Sequence, residues 1–364
     1  MNEYLIKDHD VIKAKLSELN SLEYFSLDTE FVRKKSFYPQ PCLIQFANLN
    51  TRFAIDITEA VKTEKWFEIK EYIKSFFLGT KAVAVIHAAD QDAELLVYEF
   101  GLPNYLFDTQ LAARFIGFSS PPSYSAIVDH YFGVKLGKEL QFSDWDERPL
   151  SHEHIEYAIS DVTYLAQLYP YILEDLIKLG RLEWFLEDSS YKKRLYLKNK
   201  KDSYSELKKA ISKLHSEDLI LRYYKILEAR DILAKKRNIA KRFIIRDDSI
   251  LHFVYSDKDI EDLNVTDVCK NDFTDLLYKL EEARKEWESE VMEIIEEHKD
   301  IQYGYKKDKK FFHIKSLLRD AAKSIGVADD LIATTKDINK IIAGKQSRVN
   351  SGWRYEVLGK KLGL

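Results

Sequence analysis

Residues 22–31 read LEYFSLDTEF, and their reading decides the fold. The aromatic and apolar lead-in LEYFS suits a buried strand, and the two-residue period of a strand puts Asp28 and Glu30 on one face. Like charges side by side repel, so either solvent screens them or a cation sits between them. A D-x-E triplet means little by itself. With 60 acidic residues in the chain, roughly one or two arise by chance, and Asp92-Ala93-Glu94 is another.

Working outward, EYFSLDTE is followed closely by CLIQFAN and TRFAIDI, which predicts an antiparallel meander, and KAVAVIH supplies a fourth strand. Helical spacing then takes over. Leu95, Leu96, Tyr98 and Phe100 form a stripe ending at Gly101, and Asp108 in LFDTQ reads as a helix N-cap. The alternation defines an α/β domain over 1–195. The basic, core-poor run KKRLYLKNKKD contains the expected linker, 196–203. Beyond it Leu207, Ile211 and Leu214, then Ile226, Leu227 and Leu233, keep helical spacing. An all-α unit over 204–285 and a further helical stretch over 286–364 follow, with YKKDKK at 305–310 as a second basic run.

Bulk properties bound the function. At 364 residues, 45% hydrophobic and 32% charged, the chain has the composition of a multidomain globular protein. Its N-terminus lacks the basic start and apolar middle of a secretory signal. Its longest apolar run, AVAVIHAA, is far short of a membrane span. Two distant cysteines, Cys42 and Cys269, argue for a reducing cytosol and against a disulfide or zinc framework. The expected location is cytoplasmic. With a net charge of −4, nucleic acid would have to be held by local basic patches.

Two further segments change the weight of Asp28 and Glu30. In HAADQDAELL a strand exits into a helix. Asp90 and Asp92 there are about 200° apart around the axis, so one faces the sheet. Asp90 reads as a first-turn charge favouring the helix dipole, and Asp92 is assigned to the site. In EYAISDVTYL, Tyr157 and Asp161 are four apart and share a helix face. Four converging carboxylates cannot all stay ionised in a low-dielectric cleft without cations. Two divalent ions resolve this, and oxygen-only ligands point to magnesium or manganese. Such a pair of ions suits hydrolysis of a phosphodiester.

These motifs, with LDTEFVRKKSFYPQPCLIQFAN, LFDTQLAARFIG, SDWDERPLSHEHIEYAISDVTYL and SGWRYEVLGKKLGL, resemble the ribonuclease D family of DEDD exonucleases over most of the chain. The resemblance implies a ribonuclease H-like domain, with a mixed central sheet flanked by helices, followed by all-α HRDC-type helical domains. It implies Asp28, Glu30, Asp92 and Asp161 as metal ligands. Tyr157 would orient the attacking water or help deprotonate it. Glu156 stands where another branch has histidine, so the chain resembles the tyrosine branch. The implied reaction releases nucleoside 5′-monophosphates from RNA 3′ ends, mainly in trimming stable RNAs such as tRNA precursors; the sequence leaves the oligomeric state open, with a monomer favoured.

The rival readings are a DNA exonuclease of Werner or proofreading type and a catalytically silent nucleic-acid scaffold. Around the site, Phe31, Tyr38 and Gln45 are candidates to stack on or hydrogen-bond the terminal nucleotide, with core packing an equal account of Phe31. His87 either approaches the scissile end or bonds within the core. Arg148 either contacts a phosphate or pins its loop to an acid. The HRDC-like segment 227–251 carries Arg230 and Arg246 and the patch Lys235, Lys236, Arg237, Lys241 and Arg242, for which a solvated helix face is the alternative account.

Overall fold

The computed structural model describes residues 4–137, 140, 143–198, 202–256, 259, 262–302 and 309–364. One mixed sheet contains β1 (Leu5–Ile6), β2 (Tyr24–Val32), β3 (Gln40–Ala47), β4 (Arg52–Asp56), β5 (Val83–Ile86) and β6 (Tyr105–Asp108). Their order is β1-β4-β3-β2-β5-β6. The expected meander is β2-β3-β4, all antiparallel. β1 adds to β4, and β5 and β6 extend from β2, in parallel. Sequence pattern does not announce β1, two residues long, or β6, whose last residue, Asp108, caps the next helix.

Alternation along β2 sorts its side chains between two layers. Phe25 and Leu27 lie in a core with Phe46, Phe53 and Ile55, covered by helices His9–Asn20, Trp66–Gly79 and Asp90–Glu99. Ser26, Asp28 and Glu30 project the other way, toward the long helix His152–Lys178. That helix brings Ile155, Ala158, Ile159, Val162 and Ala166 against Leu43, Ala47 and Ala54. Small residues at this seam let helix and sheet approach closely. The Ser26 hydroxyl donates there between the carbonyls of Val162, at 2.7 Å, and Ala47, at 3.0 Å.

The expected linker, 196–203, overlaps the end of helix Leu182–Leu197 and the start of helix Asp202–Ala210, and its residues 199–201 fall outside the described residues. The helices that follow enclose their own core, including Leu207, Tyr224, Leu227, Phe253 and Phe273. Helix Arg284–Gln302 adds Trp287, Val291 and Ile295 to that core, which therefore runs across position 285/286. Residues 305–308 of the second basic run are outside the described set.

From Lys309 the chain returns to the first domain. Phe311, Leu318, Trp353 and Leu358 share one core with Phe107, Phe115, Leu168 and Phe185. Trp353 stacks on Trp184 at 5.0 Å, and Arg354 forks onto Asp188 with two bonds of 2.6 Å. Arg114 pairs with Asp330 at 2.5 Å, and the Arg181 guanidinium donates to the carbonyls of Phe115 and Ile325. Among the described residues no helix is long and apolar enough to cross a membrane.

Candidate active site

The end of β2, an interior strand, lies near the start of helix Asp90–Glu99 and the first half of helix His152–Lys178. Ligand oxygens of Asp28, Glu30 and Asp161 lie within 4.8 Å of one another. Between Glu30 and Phe31 the β2–β3 register shifts, so that Glu30 faces Leu43 and Phe31 faces Pro41. A bulge of this kind bends a strand and re-aims its side chains. Here it follows directly on the second carboxylate.

Asp92, assigned to the site from the sequence, lies outside that group of three, on the other layer, near enough for its charge to raise Asp28 and Glu30. It is 7% exposed, and the Thr29 hydroxyl donates to its Oδ1 at 2.5 Å. Thr29 sits between the two acids of β2 but points to the opposite face, where helix Asp90–Glu99 packs. Asp90 faces outward, accepting from the Tyr196 hydroxyl at 2.7 Å and pairing with Lys192 at 3.2 Å.

The carboxylates do not suit one another without a cation. Burial first, then the charges of Asp92 and Asp161, holds the Asp28 carboxyl well above its ordinary range. Glu30 is raised by burial and then by Asp28, Asp161 and Asp92. Burial lifts Asp161 to about 7 against the lowering effect of the Tyr157 hydrogen bond. Burial lifts Asp92 to about 6 against the bond from Thr29. The Tyr157 phenol is itself raised, by burial and then by Asp161, Glu30 and Asp28, so at neutral pH it is protonated and donates to Asp161.

A carboxyl whose folded pKa is raised keeps its proton where the unfolded chain has lost it. The metal-free fold therefore loses stability as pH climbs from about 4, the unfolded value, through about 6 and 7 for Asp92 and Asp161. Divalent cations compete with those protons. The rise in melting temperature produced by manganese should therefore be larger at pH 7.5 than at pH 5.5. A thermal-shift series in buffered manganese measures it, and an equal rise at both pH values would contradict a carboxylate metal site.

The remaining candidates separate. Arg148 is a pin: its guanidinium forks onto Asp56 at 2.7–3.1 Å and donates to the carbonyls of Trp145 and Glu147, each at 2.7 Å. This commits its donors inside the protein. Trp145, held by that pin, lies 6.0 Å ring to ring from Tyr157. Gln45 is fully buried opposite Asp28, with no partner for either amide atom among the described residues.

The His87 Nδ1 bonds the Thr109 hydroxyl at 3.0 Å, and burial pushes its pKa down to about 4, leaving a neutral ring. Phe31 is half-buried against the apolar layer. Tyr38 is stacked flat on Tyr98, centroids 3.5 Å apart.

Within the basic segment, Arg230 is 1% exposed and bridges Glu206 and Asp247. Arg237 pairs with Asp272 at 2.6 Å, and Lys241 with Asp231 and Glu206. Lys235 covers the Phe37 ring at 5.7 Å, while Lys236 and Arg242 are exposed. Within the expected patch the charges of Arg237 and Lys241 are thus matched inside the protein, as is that of Arg230 ahead of it.

Two contributors escape sequence reasoning. Thr29 is legible in principle from strand alternation. Tyr124, whose hydroxyl donates to the backbone carbonyl of Asp161, comes from a helix 37 residues away and has no local signal.

Comparison with known proteins agrees with this geometry. A family described as 3′-5′ exonuclease matches residues 4–177. The ribonuclease D of Zymomonas mobilis is 31% identical over 98% of this chain and 92% of its own length. That of Bartonella henselae is 31% identical over 98% and 88%. The crystal structure of Escherichia coli RNase D, an exoribonuclease involved in structured RNA processing, superposes with a TM-score of 0.78 at 23% identity, covering 100% of this chain and 98% of that one. Its mixed sheet flanked by helices and its helical C-terminal region are the fold found here.

Proposed function

We propose a specific reaction for this chain, which belongs to the ribonuclease D family and is a metal-dependent 3′-5′ exoribonuclease: it trims tRNA precursors and other stable RNAs, releasing nucleoside 5′-monophosphates. The observation that carries the reading is the meeting of Asp28, Glu30 and Asp161 within 4.8 Å, from segments more than 120 residues apart in the chain. With Asp92 they would hold two divalent ions, magnesium or manganese, since every donor is a hard oxygen. Ions so bound lower the pKa of water and neutralise phosphate charge.

The chain's own groups do the rest. Tyr157, held protonated, has a phenol able to orient water at the cluster. Thr29 fixes Asp92, and the Arg148 pin keeps Trp145 beside Tyr157. Phe31 and the outer face of the Tyr38–Tyr98 stack are the surfaces offered to the terminal bases. Of the basic segment, exposed Lys236 is left for the RNA backbone, while Arg242 donates to the carbonyl of Lys34 at 3.2 Å. Lys35 is exposed beside them, its carbonyl accepting from the Ala240 N–H at 2.8 Å.

We assign the helices from 204 onward to an HRDC-type module whose core reaches past the expected limit at 285 into helix Arg284–Gln302, and 309–364 to a second helical unit packed on the catalytic domain, and place the enzyme in the cytoplasm as a monomer. Incubation with a 3′-extended tRNA precursor, a matched DNA strand, and magnesium, manganese or chelator tests the reading. The expected result is a ladder shortening one nucleotide at a time on RNA, abolished by chelator, and falling with salt less steeply once Lys236 and Lys35 are both changed to Glu. Internal cuts, release that survives chelation, or preference for DNA would overturn it.

A further inference from the structure

The β2–β3 hairpin carries Asp28 and Glu30 on one strand, and its tip, residues 33–39, enters the helical module. Phe37 packs against that module's core, with Lys235 and Lys241 on its ring at 5.7 and 5.6 Å. Main-chain bonds hold the tip on either side. The Ala240 N–H donates to Lys35 O at 2.8 Å, the Tyr38 N–H to Asn238 Oδ1 at 3.0 Å, and the Arg242 guanidinium to Lys34 O at 3.2 Å. Asn238 ends helix Glu217–Arg237 with a left-handed backbone, φ 49°, a conformation that asparagine tolerates better than most residues.

The same short tip touches the other elements that carry site groups. Arg33 pairs at 2.5 Å with Glu94, two residues past Asp92, and Tyr38 stacks on Tyr98 of that helix. Lys34 pairs with Asp146 at 2.8 Å, next to the Trp145 that flanks Tyr157. Glu30 is seven residues from Phe37, with the bulge between them.

We propose that Phe37 is a positioning residue for the reaction: as a plug in the helical module, it sets the end of β2 and so the placing of Glu30 relative to Asp92 and Asp161. The helical module would then complete the catalytic site as well as hold RNA. This rests on the exonuclease reading of the four acids.

The test uses the full chain and two readouts that need no RNA. One is manganese binding by calorimetry, and the other is hydrolysis of the 5′-p-nitrophenyl ester of a nucleoside monophosphate, too small to reach the helical module. Phe37→Ala should lower kcat on the ester by about tenfold or more, since small displacements at a reacting centre carry such costs, and should weaken manganese binding severalfold. Phe37→Leu should recover most of both. Asn238→Gly keeps the left-handed turn and loses the bond from Tyr38. It should show the same losses in smaller degree, and it carries the test alone if Phe37→Ala does not fold. Folded variants with parental kcat and manganese affinity would overturn the proposal, even if KM for long RNA rises. A parent protein that neither binds manganese nor cleaves the ester would instead sink the exonuclease reading beneath it.

Discussion

Asp28→Asn should lower 3′-end trimming by about 10³-fold or more, because it removes one charge from the cluster proposed to hold the metal where the reaction's negative charge is balanced. The same change should stabilise the protein in the presence of chelator. Ionised Asp28 is penalised by burial and by the charges of Asp92 and Asp161, whereas the amide of asparagine carries no charge to bury. Relief of about 1 kcal/mol would appear as a melting point roughly 2 °C higher. Adding manganese should erase or reverse the difference. Activity and thermal unfolding, measured with and without metal, check the pair of effects together. Near-parental trimming, or a chelated variant less stable than its parent, would remove Asp28 from the metal site.

Tyr157→Phe should reduce kcat by about 10²-fold, the lower end of what a positioned proton donor or acceptor contributes, with KM for RNA little changed. The ring remains to pack against Trp145, 6.0 Å away, so the loss is that of the hydroxyl. Removing it also removes the hydrogen bond that lowers the Asp161 pKa. The pH needed for half-maximal metal binding should therefore rise. A variant with unaltered kcat and an unaltered pH midpoint would show that the phenol is only a packing group.

Each candidate acid is proposed from a local period, and the fold brings Asp28, Glu30 and Asp161 together with Asp92 outside that group. Strand alternation pairs Asp28 with Glu30, the 100° helical step separates Asp92 from Asp90, and i, i+4 spacing joins Tyr157 to Asp161. Partners distant in sequence were not readable. Arg148 finds Asp56 across 92 residues, and the charges of Arg237 and Lys241 are matched by Asp272 and Glu206, each 35 residues away. Lysine and arginine in a run look alike whether they face water or a carboxylate, so a patch can be delimited only after folding. The fold shows a similar division. Long alternating strands declared themselves, while β1 and β6 exist because the neighbouring strand supplies the bonds that so few residues cannot organise alone.

The shared core of residues 311–358 with Phe107, Phe115 and Phe185 has a consequence for how the protein is born. While the ribosome is still adding the helical modules, the catalytic half has already emerged with one apolar side bare. At roughly 5–20 residues per second, the interval between Phe185 and Leu358 lasts on the order of 10–30 s. Until then Phe107, Phe115 and Phe185 lack the apolar cover that the last helices give them in the finished protein.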